Sequence, residues 1–388
     1  MKEPRGYDTI EKKTEGTPMS EIRFLQPLAG DLLIEGADGE MREGRFYAQV
    51  RVRADAGSLC INGVRAERDE QGVFCARVPL DALRGRLEAR DERGNRAAIT
   101  VFRLRDAEKS YRFTVDDCIR CFEDLTRNQD RYQSIFENPF LAIFHRAHEQ
   151  YGSRVHLNLF YESVDGTFNL SMMTDRFREE FERNADWLSL TFHARREFPN
   201  APYRNASYEE IYRDGRDCIR EIIRFAGKKV LRDTTTLHFG ACTADGVRAL
   251  RGLGYRALCG YLDFDEQGNT LVSYHLTPEQ VAYAKTREGW YDADEDVVLT
   301  RLDFVLNALE LTADRVEPLL DELCTRAHEG RLIQMVIHEQ YFYEDYFNYE
   351  PDYAERILTM ARWMHAHGYR SASLSEMIRE EDAREVRL

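Results

Sequence analysis

The stretch Phe113-Thr114-Val115-Asp116-Asp117-Cys118 joins an apolar run to two adjacent carboxylates. A short apolar run is typical of a buried strand, and here the charges follow at its carboxyl end. In α/β proteins, that edge of the sheet carries the chemistry. Side chains alternate along a strand, so Asp116 and Asp117 point to opposite faces unless the chain turns between them. Because adjacent carboxylates repel, we expect one of them to be protonated or to bind a cation.

Length and charge narrow the classes of protein. The chain has 388 residues, 43% of them hydrophobic, and a formal net charge of −15. This length allows two domains, and the acidic balance without a Lys/Arg block argues against nucleic-acid and membrane partners. No apolar run approaches the ~20 residues of a membrane span, and no apolar signal segment opens the chain. We therefore expect a cytoplasmic protein whose residues 1–20 form a flexible lead-in. The sequence leaves homo-oligomerisation open.

The eight cysteines are scattered through the chain. This distribution does not indicate a disulfide framework. Cys118 and Cys121 form a CxxC pair, but no second pair or suitably spaced histidines accompany it. Reduced thiols are the simpler interpretation.

Two domains follow from the patterning. Residues 21–108 contain short alternating runs separated by turn signals such as Asn62-Gly63, which predict a small all-β, immunoglobulin-like sandwich. From residue 109 to 388, strand-like and helix-like segments alternate, which favours βα units around a mainly parallel sheet or barrel. Residues 263–297 interrupt this alternation, and we interpret them as an insertion over one rim.

Several predicted strands of the second domain end in a residue that can bind metal or move a proton. The strand ends are Asp116-Asp117, His193, His238 and His338-Glu339. Residues at successive strand ends of a barrel converge on one mouth. A single histidine of this kind is usually structural, but this repetition favours a functional site.

One metal-ligand set can be assembled from these residues. His193 and Glu197 are four residues apart, so they share a face if the segment is one helical turn. With Asp117 they offer nitrogen and oxygen ligands that suit Zn²⁺, with Ni²⁺, Co²⁺, Mn²⁺ and Fe²⁺ as alternatives. Water on such a metal loses a proton near neutral pH, as hydrolysis requires. The competing interpretation is an ordinary surface pair.

Aromatic residues crowd the chain after His338, among them Tyr341 and Tyr343, and Trp290 lies in the insertion. Aromatic faces at a pocket rim suit sugar rings. The alternative is that they pack loops onto the barrel.

Taken in order, the motifs of the second domain resemble those of the polysaccharide deacetylases of carbohydrate esterase family 4. Thr114-Val115-Asp116-Asp117-Cys118 corresponds to the family's Thr-Phe-Asp-Asp-Gly, and His193-Ala194-Arg195-Arg196-Glu197 to its His-Ser/Thr-x-x-His. Thr236-Leu237-His238-Phe239-Gly240 stands where the family has Arg-x-Pro-Tyr-Gly. Val336-Ile337-His338-Glu339 matches its Leu-x-His, and the closing segment 368–377 is also typical.

The resemblance implies a fold and a set of roles. The fold would be α/β, a distorted (β/α)7 barrel after the immunoglobulin-like sandwich. Asp116 would be the general base, and Asp117, His193 and Glu197 would hold a divalent metal ion. His338 would be the general acid, which suits a side chain that titrates near pH 7.

Three departures from the family pattern bear on the substrate. Glu197 replaces a histidine, Cys118 replaces a glycine, and the arginine of the third motif is absent. His238 would substitute for that arginine or bind substrate, and Glu339 is a further candidate substrate-binding residue.

The sequence thus predicts a metal-dependent hydrolase that removes an acyl group, such as acetyl, from a carbohydrate. The alternatives are a non-catalytic glycan-binding protein on the same barrel, and another metal-dependent hydrolase or glycosidase on a related barrel.

Overall fold

The computed structural model describes residues 22–308, 311–326, 328 and 330–379. The predicted lead-in, residues 1–20, lies outside the described residues. None of the helices described is long and apolar enough to cross a membrane.

The first region consists of short strands in two sheets. One sheet has the order β1-β4-β8-β7, with β3 also paired to β4, and the other has the order β2-β10-β9-β5-β6. The strands are β1 (Arg23–Gln26), β2 (Leu32–Leu33), β3 (Gly39–Arg42), β4 (Arg45–Arg53), β5 (Leu59–Ile61), β6 (Val64–Arg65), β7 (Glu67–Arg68), β8 (Phe74–Leu80), β9 (Arg84–Asp91) and β10 (Arg96–Arg103).

Alternating side chains of both sheets meet in one apolar cluster. Along β4, buried and exposed residues alternate, as expected for a strand with one face on a core. Phe46 and Val50 from one sheet share this cluster with Leu59 and Leu87 from the other. The predicted all-β character of this region therefore agrees with the structure, whereas its immunoglobulin-like topology stays a prediction.

The second region alternates strands and helices. Its strands are β11 (Ser110–Cys118), β12 (Val155–Phe160), β13 (Leu188–Ala194), β14 (Thr234–Thr235), β15 (Ala257–Gly260), β16 (Asp263–Phe264), β17 (Thr270–Leu271), β18 (Gly289–Asp292), β19 (Val297–Arg301), β20 (Phe304–Val305), β21 (Leu332–His338) and β22 (Arg370–Ser371). Its helices are α1 (Arg120–Arg127), α2 (Pro139–Tyr151), α3 (Arg178–Arg183), α4 (Tyr208–Ala226), α5 (Ala244–Gly252), α6 (Pro278–Ala284), α7 (Ala313–Leu323), α8 (Tyr353–Ala366) and α9 (Leu374–Met377).

These strands form a barrel-like arrangement. One sheet has the order β13-β12-β11-β21-β20, with β22 also paired to β11, and the other has the order β14-β15-β19-β18. All pairs are parallel except β18 with β19. The continuous segment 297–305 supplies β19 to one sheet and β20 to the other, and a bridge between Leu190 and Leu231 joins the opposite edges. The predicted mainly parallel α/β architecture is therefore confirmed at this coarse level.

Two helix starts show how local sequence fixes this arrangement. The Asn138 side chain accepts hydrogen bonds from the backbone N–H groups of Phe140 and Leu141, and Pro139 opens α2. The Ser207 side chain likewise accepts from the backbone N–H of Glu210 at the start of α4. In both helices, a side chain just before the first turn therefore satisfies backbone N–H groups that have no partner within the helix.

The predicted insertion, residues 263–297, is less irregular than the sequence indicated. It contains the β16–β17 hairpin, α6 and β18. Within it, Arg287 forms buried ion pairs with Asp31 and Asp38 of the first region. The insertion therefore forms part of the contact between the two regions, in addition to flanking the strand ends.

Candidate functional site

An irregularity in β11 brings both adjacent aspartates to one place. Val115 pairs with Leu157 of β12 and Cys118 pairs with Leu159, so β11 contains one extra residue between these two pairs. Asp117 adopts a positive φ of 62°. A bulge of this kind re-aims side chains, which explains why Asp116 and Asp117 both line one cavity. The alternation expected of a regular strand therefore does not hold here.

A second bulge lies at His193. β13 pairs Phe192 with Leu159 but Ala194 with Phe160, so His193 is the extra residue. Its ring is buried, and Nδ1 lies within hydrogen-bonding distance of the backbone oxygen of Thr236. Because a carbonyl oxygen only accepts, Nδ1 carries the proton and the lone pair is on Nε2.

His238 is held in a similar way. It lies in a short turn after β14, and its Nε2 is 3.0 Å from the backbone oxygen of Glu197. That carbonyl fixes the proton on Nε2 and leaves the lone pair on Nδ1. The two imidazoles therefore direct unprotonated nitrogens inward.

Three acceptor atoms converge where these lone pairs meet. Nε2 of His193 is 3.1 Å from Oδ1 of Asp117 and 3.0 Å from Nδ1 of His238. Nδ1 of His238 is 3.2 Å from the same Asp117 oxygen. No hydrogen lies between these atoms when both rings are neutral, and a cation at their centre would offset the repulsion among the three lone pairs.

The spacing fits a bound metal ion. Ligand atoms about 2.1 Å from one metal, at tetrahedral or octahedral angles, lie about 3.0–3.4 Å apart. The observed separations are 3.0–3.2 Å. Two imidazole nitrogens and a carboxylate oxygen suit Zn²⁺ and neighbouring transition metals. The set of Asp117, His193 and His238 is therefore a candidate metal centre.

Two amides orient the carboxylates. Gln340 Nε2 donates to the second oxygen of Asp117 at 2.6 Å. Asn158 Nδ2 donates to Asp116 Oδ1 at 2.6 Å and to Thr114 Oγ1 at 2.8 Å. Asp117 is thus directed to the candidate ligand cluster, while Asp116 is held beside it.

Burial controls protonation in this cluster. Burial, reinforced by the negative charge of Asp117, raises the pKa of Asp116 well above its usual range. Burial also lowers the pKa of His193 below its ordinary value of 6.5, so its ring is neutral at pH 7. A neutral imidazole is the form that binds a metal ion.

His338 lines the same cavity from β21, the strand beside β11, where it is the register partner of Asp116. Its Nδ1 lies 2.7 Å from Oδ1 of Asn307, which accepts the Nδ1 proton and leaves Nε2 available. The Tyr353 hydroxyl accepts from the backbone N–H of His338 and donates to its carbonyl, at 2.9 and 3.0 Å. Burial lowers the pKa of His338.

The cavity that holds these groups has a volume of about 420 Å³. That volume suits a small organic ligand or part of a larger one. The lining combines charged and polar groups with apolar and aromatic ones: Asp116, Asp117, His193, Glu197, Asn200, Thr236, His238, Phe239, Tyr261, Leu271, Val272, Leu302, Val305, His338, Gln340, Tyr341 and Tyr346.

The structure corrects the expected position of Glu197. Residues 195–200 form no helix, so His193 and Glu197 do not share a helical turn. Glu197 lines the cavity, but it meets His238 through its backbone carbonyl and lies outside the candidate ligand set. His238, expected to bind substrate, supplies the third atom of the candidate ligand set instead.

Glu339 is structural, contrary to the sequence prediction. Its carboxylate accepts the backbone N–H groups of Ile119, Arg120 and Cys121 at 2.6–2.9 Å. These groups form the start of α1, where a helix favours negative charge. The Tyr343 hydroxyl donates to the same carboxylate at 2.9 Å, so Tyr343 supports this contact instead of lining the cavity.

Glu339→Ala is expected to destabilise the protein by about 3 kcal/mol, because buried backbone N–H groups lose their charged acceptor. Urea unfolding of the full chain measures this loss. Glu344→Ala removes an exposed glutamate of the same segment and should change stability by less than about 0.5 kcal/mol. Equal stability of the two variants would contradict the capping role.

Two aromatic predictions have different outcomes. Tyr341 lines the cavity, and its contact with substrate stays a prediction. Trp290 does not: it bridges to Asp31 of the first region, and its ring packs over Gly30. The expected substrate contact of Trp290 is therefore wrong, and its ring contributes to the contact between the two regions.

Sequence reasoning missed Asn158, Asn307 and Gln340. The alternation of His156 and Asn158 in an otherwise apolar strand could have indicated a polar barrel interior. Nothing in the sequence marks Asn307 or Gln340, because amides are common in loops.

Comparisons with known proteins add a distant likeness. No protein-family model and no curated protein sequence matches this chain. Among solved structures, a CE4 family pseudoenzyme from Bacillus anthracis is 12% identical, with a TM-score of 0.34 over 70% of this chain and 66% of that chain. A peptidoglycan N-acetylglucosamine deacetylase is 10% identical, with a TM-score of 0.36 over 71% of this chain and 91% of that chain.

A 4-alpha-glucanotransferase from Thermococcus litoralis also matches, with 11% identity and a TM-score of 0.40 over 67% of this chain and 37% of that chain. The chain spans just under two thirds of the pseudoenzyme and a little over a third of the glucanotransferase. At these identities the resemblance is loose, and the chemistry considered below rests on the residues of this chain.

Proposed function

We propose that this protein is a metal-dependent hydrolase that removes an N- or O-acyl group from a carbohydrate. The observation that carries the proposal is the convergence of three acceptor atoms, 3.0–3.2 Å apart, in the cavity that also contains Asp116 and His338. The fold that goes with it is a closed, distorted (β/α)7 barrel spanning residues 109–388, after an immunoglobulin-like sandwich in residues 21–108.

Asp117, His193 and His238 would hold the metal ion, with Zn²⁺ as the first candidate. When bound, such an ion polarises the acyl carbonyl and acidifies water. Its charge would also favour the ionised form of Asp116, whose pKa burial otherwise raises.

The protein groups then divide the proton transfers. Asp116, fixed by Asn158, takes a proton from the attacking water as the carbon–oxygen bond forms. His338 acts in its imidazolium form: with Nδ1–H held by Asn307, it gives its Nε2 proton to the departing sugar nitrogen or oxygen as the old acyl bond breaks, and returns to the neutral ring. The products are a carboxylic acid and a free amine or hydroxyl.

Aromatic side chains at the cavity support a carbohydrate substrate. Tyr341 and Tyr346 line the cavity with their ring centroids 5.1 Å apart, and Phe347 beside Tyr346 is 81% exposed. Exposed aromatic faces next to a polar pocket suit sugar rings.

The test combines metal content with product release. The purified protein is expected to contain about one equivalent of divalent metal and to release acid from a panel of N- and O-acylated sugars. A chelator should abolish release, and added Zn²⁺ should restore it. Metal without release from any sugar would favour a glycan-binding protein, and a protein that binds no metal would refute the proposal.

A further inference from the structure

The mouth of the barrel has two chemically distinct halves. Asp116, Asp117 and His193 lie at the ends of β11 and β13 and form a polar, titratable half with the following Glu197. Between His238, after β14, and His338, at the end of β21, the strand ends carry no charged lining residue among those described. We define the apolar half as Tyr261, Leu271, Val272, Leu302 and Val305.

The order of strands places this apolar half beside the reaction centre. Tyr261 follows β15 directly, and Leu302 and Val305 come from the segment that carries β19 and β20. The backbone N–H of Leu302 donates to the carbonyl of Gly260 at 2.8 Å, which joins the two strand ends. Since β20 pairs with β21, Val305 lies on the strand next to His338.

The β16–β17 hairpin adds a fixed wall to the apolar half. Val272 packs so closely on Gly240 and Gly260 that a side chain at either glycine would collide with it. The Tyr274 hydroxyl donates to the carbonyl of Cys259 at 2.8 Å and accepts from the backbone N–H of Leu237 at 3.2 Å. These contacts anchor the wall to the strand ends, so the space beside it is formed before a ligand arrives.

A two-carbon acetyl group would cover little of this surface. The cavity of about 420 Å³ is in the range of pockets that enclose whole small ligands, and its apolar half offers more hydrocarbon surface than an acetyl methyl group can cover. Such a surface is stabilised when hydrocarbon displaces water from it.

We propose that the apolar half binds the acyl chain, and that the acyl group removed is longer than acetyl. This inference rests on the proposed hydrolase function. The acyl carbonyl would lie at the candidate metal centre, the chain would extend along Leu302 and Val305, and the sugar would face Tyr341 and Tyr346.

A chain-length series tests the inference. N-acyl-glucosamines and 4-nitrophenyl esters with two to eight acyl carbons are compared by kcat/KM on the metal-loaded full chain. Each added methylene that becomes buried should raise kcat/KM about threefold to fourfold. The preference should level off where the chain fills the cavity.

Two variants locate the effect. Val305→Trp and Leu271→Trp narrow the apolar half from two sides, and each should reduce the ratio of six-carbon to two-carbon kcat/KM at least about tenfold. Val164→Trp is the matched control, because Val164 is 61% exposed and does not line the cavity. Circular dichroism establishes that each variant is folded.

The outcomes separate this inference from the proposed function. Rising kcat/KM with chain length, lost in both narrowing variants, supports it. Activity that is highest on acetyl and declines with each methylene overturns the inference but leaves the hydrolase intact. A metal-loaded protein that cleaves no acyl group refutes both.

Discussion

His238→Ala is expected to lower the affinity for Zn²⁺ by at least about 100-fold. Replacing a residue that only orients a metal ligand already lowers metal affinity by about 10–100-fold. The loss of a ligand atom itself should therefore lower the affinity by more. His238 Nδ1 lies 3.0 Å from His193 Nε2 and 3.2 Å from Asp117 Oδ1, and the carbonyl of Glu197 directs its lone pair to them. Competition with a chromophoric chelator measures the affinity.

Glu197→Gln is the decisive comparison. The substitution retains the backbone carbonyl that contacts His238 and removes only the carboxylate, so Zn²⁺ affinity should change less than about tenfold. If Glu197→Gln were to lose the metal while His238→Ala retained it, the ligand set expected from the sequence would be right and the set seen here would be wrong.

The two ligand sets differ because bulges and irregular segments decide where side chains point. Strand ends are predictable from apolar periodicity, so the sequence alone places Asp117, His193 and His338 near the strand ends at which the structure has them. The spacing of His193 and Glu197 alone suits a helical turn. Pro199 argues against a helix through this segment, since proline disfavours helical conformation in Phe198 before it and its ring would clash with the carbonyl of Arg195 in a helix.

Alternation could have corrected the role of Glu339. On an extended chain His338 and Glu339 face opposite sides, so only one of them can point into the cavity. Pairing between Glu339 and the start of α1 joins residues more than 200 positions apart. No local pattern encodes such a contact. The hydrogen bonds from Gln340 to Asp117 and between Asn307 and His338 also join distant segments, so no local pattern predicts them either.

His338→Gln is expected to reduce kcat about 10²–10⁴-fold, the usual contribution of a positioned general acid or base. The glutamine side chain can still form a hydrogen bond, but it cannot transfer a proton. Because His338 is outside the candidate ligand set, Zn²⁺ affinity should stay within about threefold of the wild type. Loss of metal together with activity would contradict the division of roles between ligands and acid.

The pH dependence of catalysis identifies His338 more specifically. Its Nδ1 partner is the neutral amide of Asn307, 2.7 Å away, and burial lowers the pKa of the imidazole. An acid with a lowered pKa loses its proton at a lower pH, so activity should begin to fall at a pH below the ordinary 6.5 of histidine.

Asn307→Asp places a carboxylate against the ring, which favours the imidazolium and raises its pKa. The decline should therefore move to higher pH in Asn307→Asp, whereas Asn307→Ser should leave it near the wild-type position. If the fall of activity at high pH were unchanged in a folded, metal-loaded Asn307→Asp protein, a group other than His338 would supply the proton.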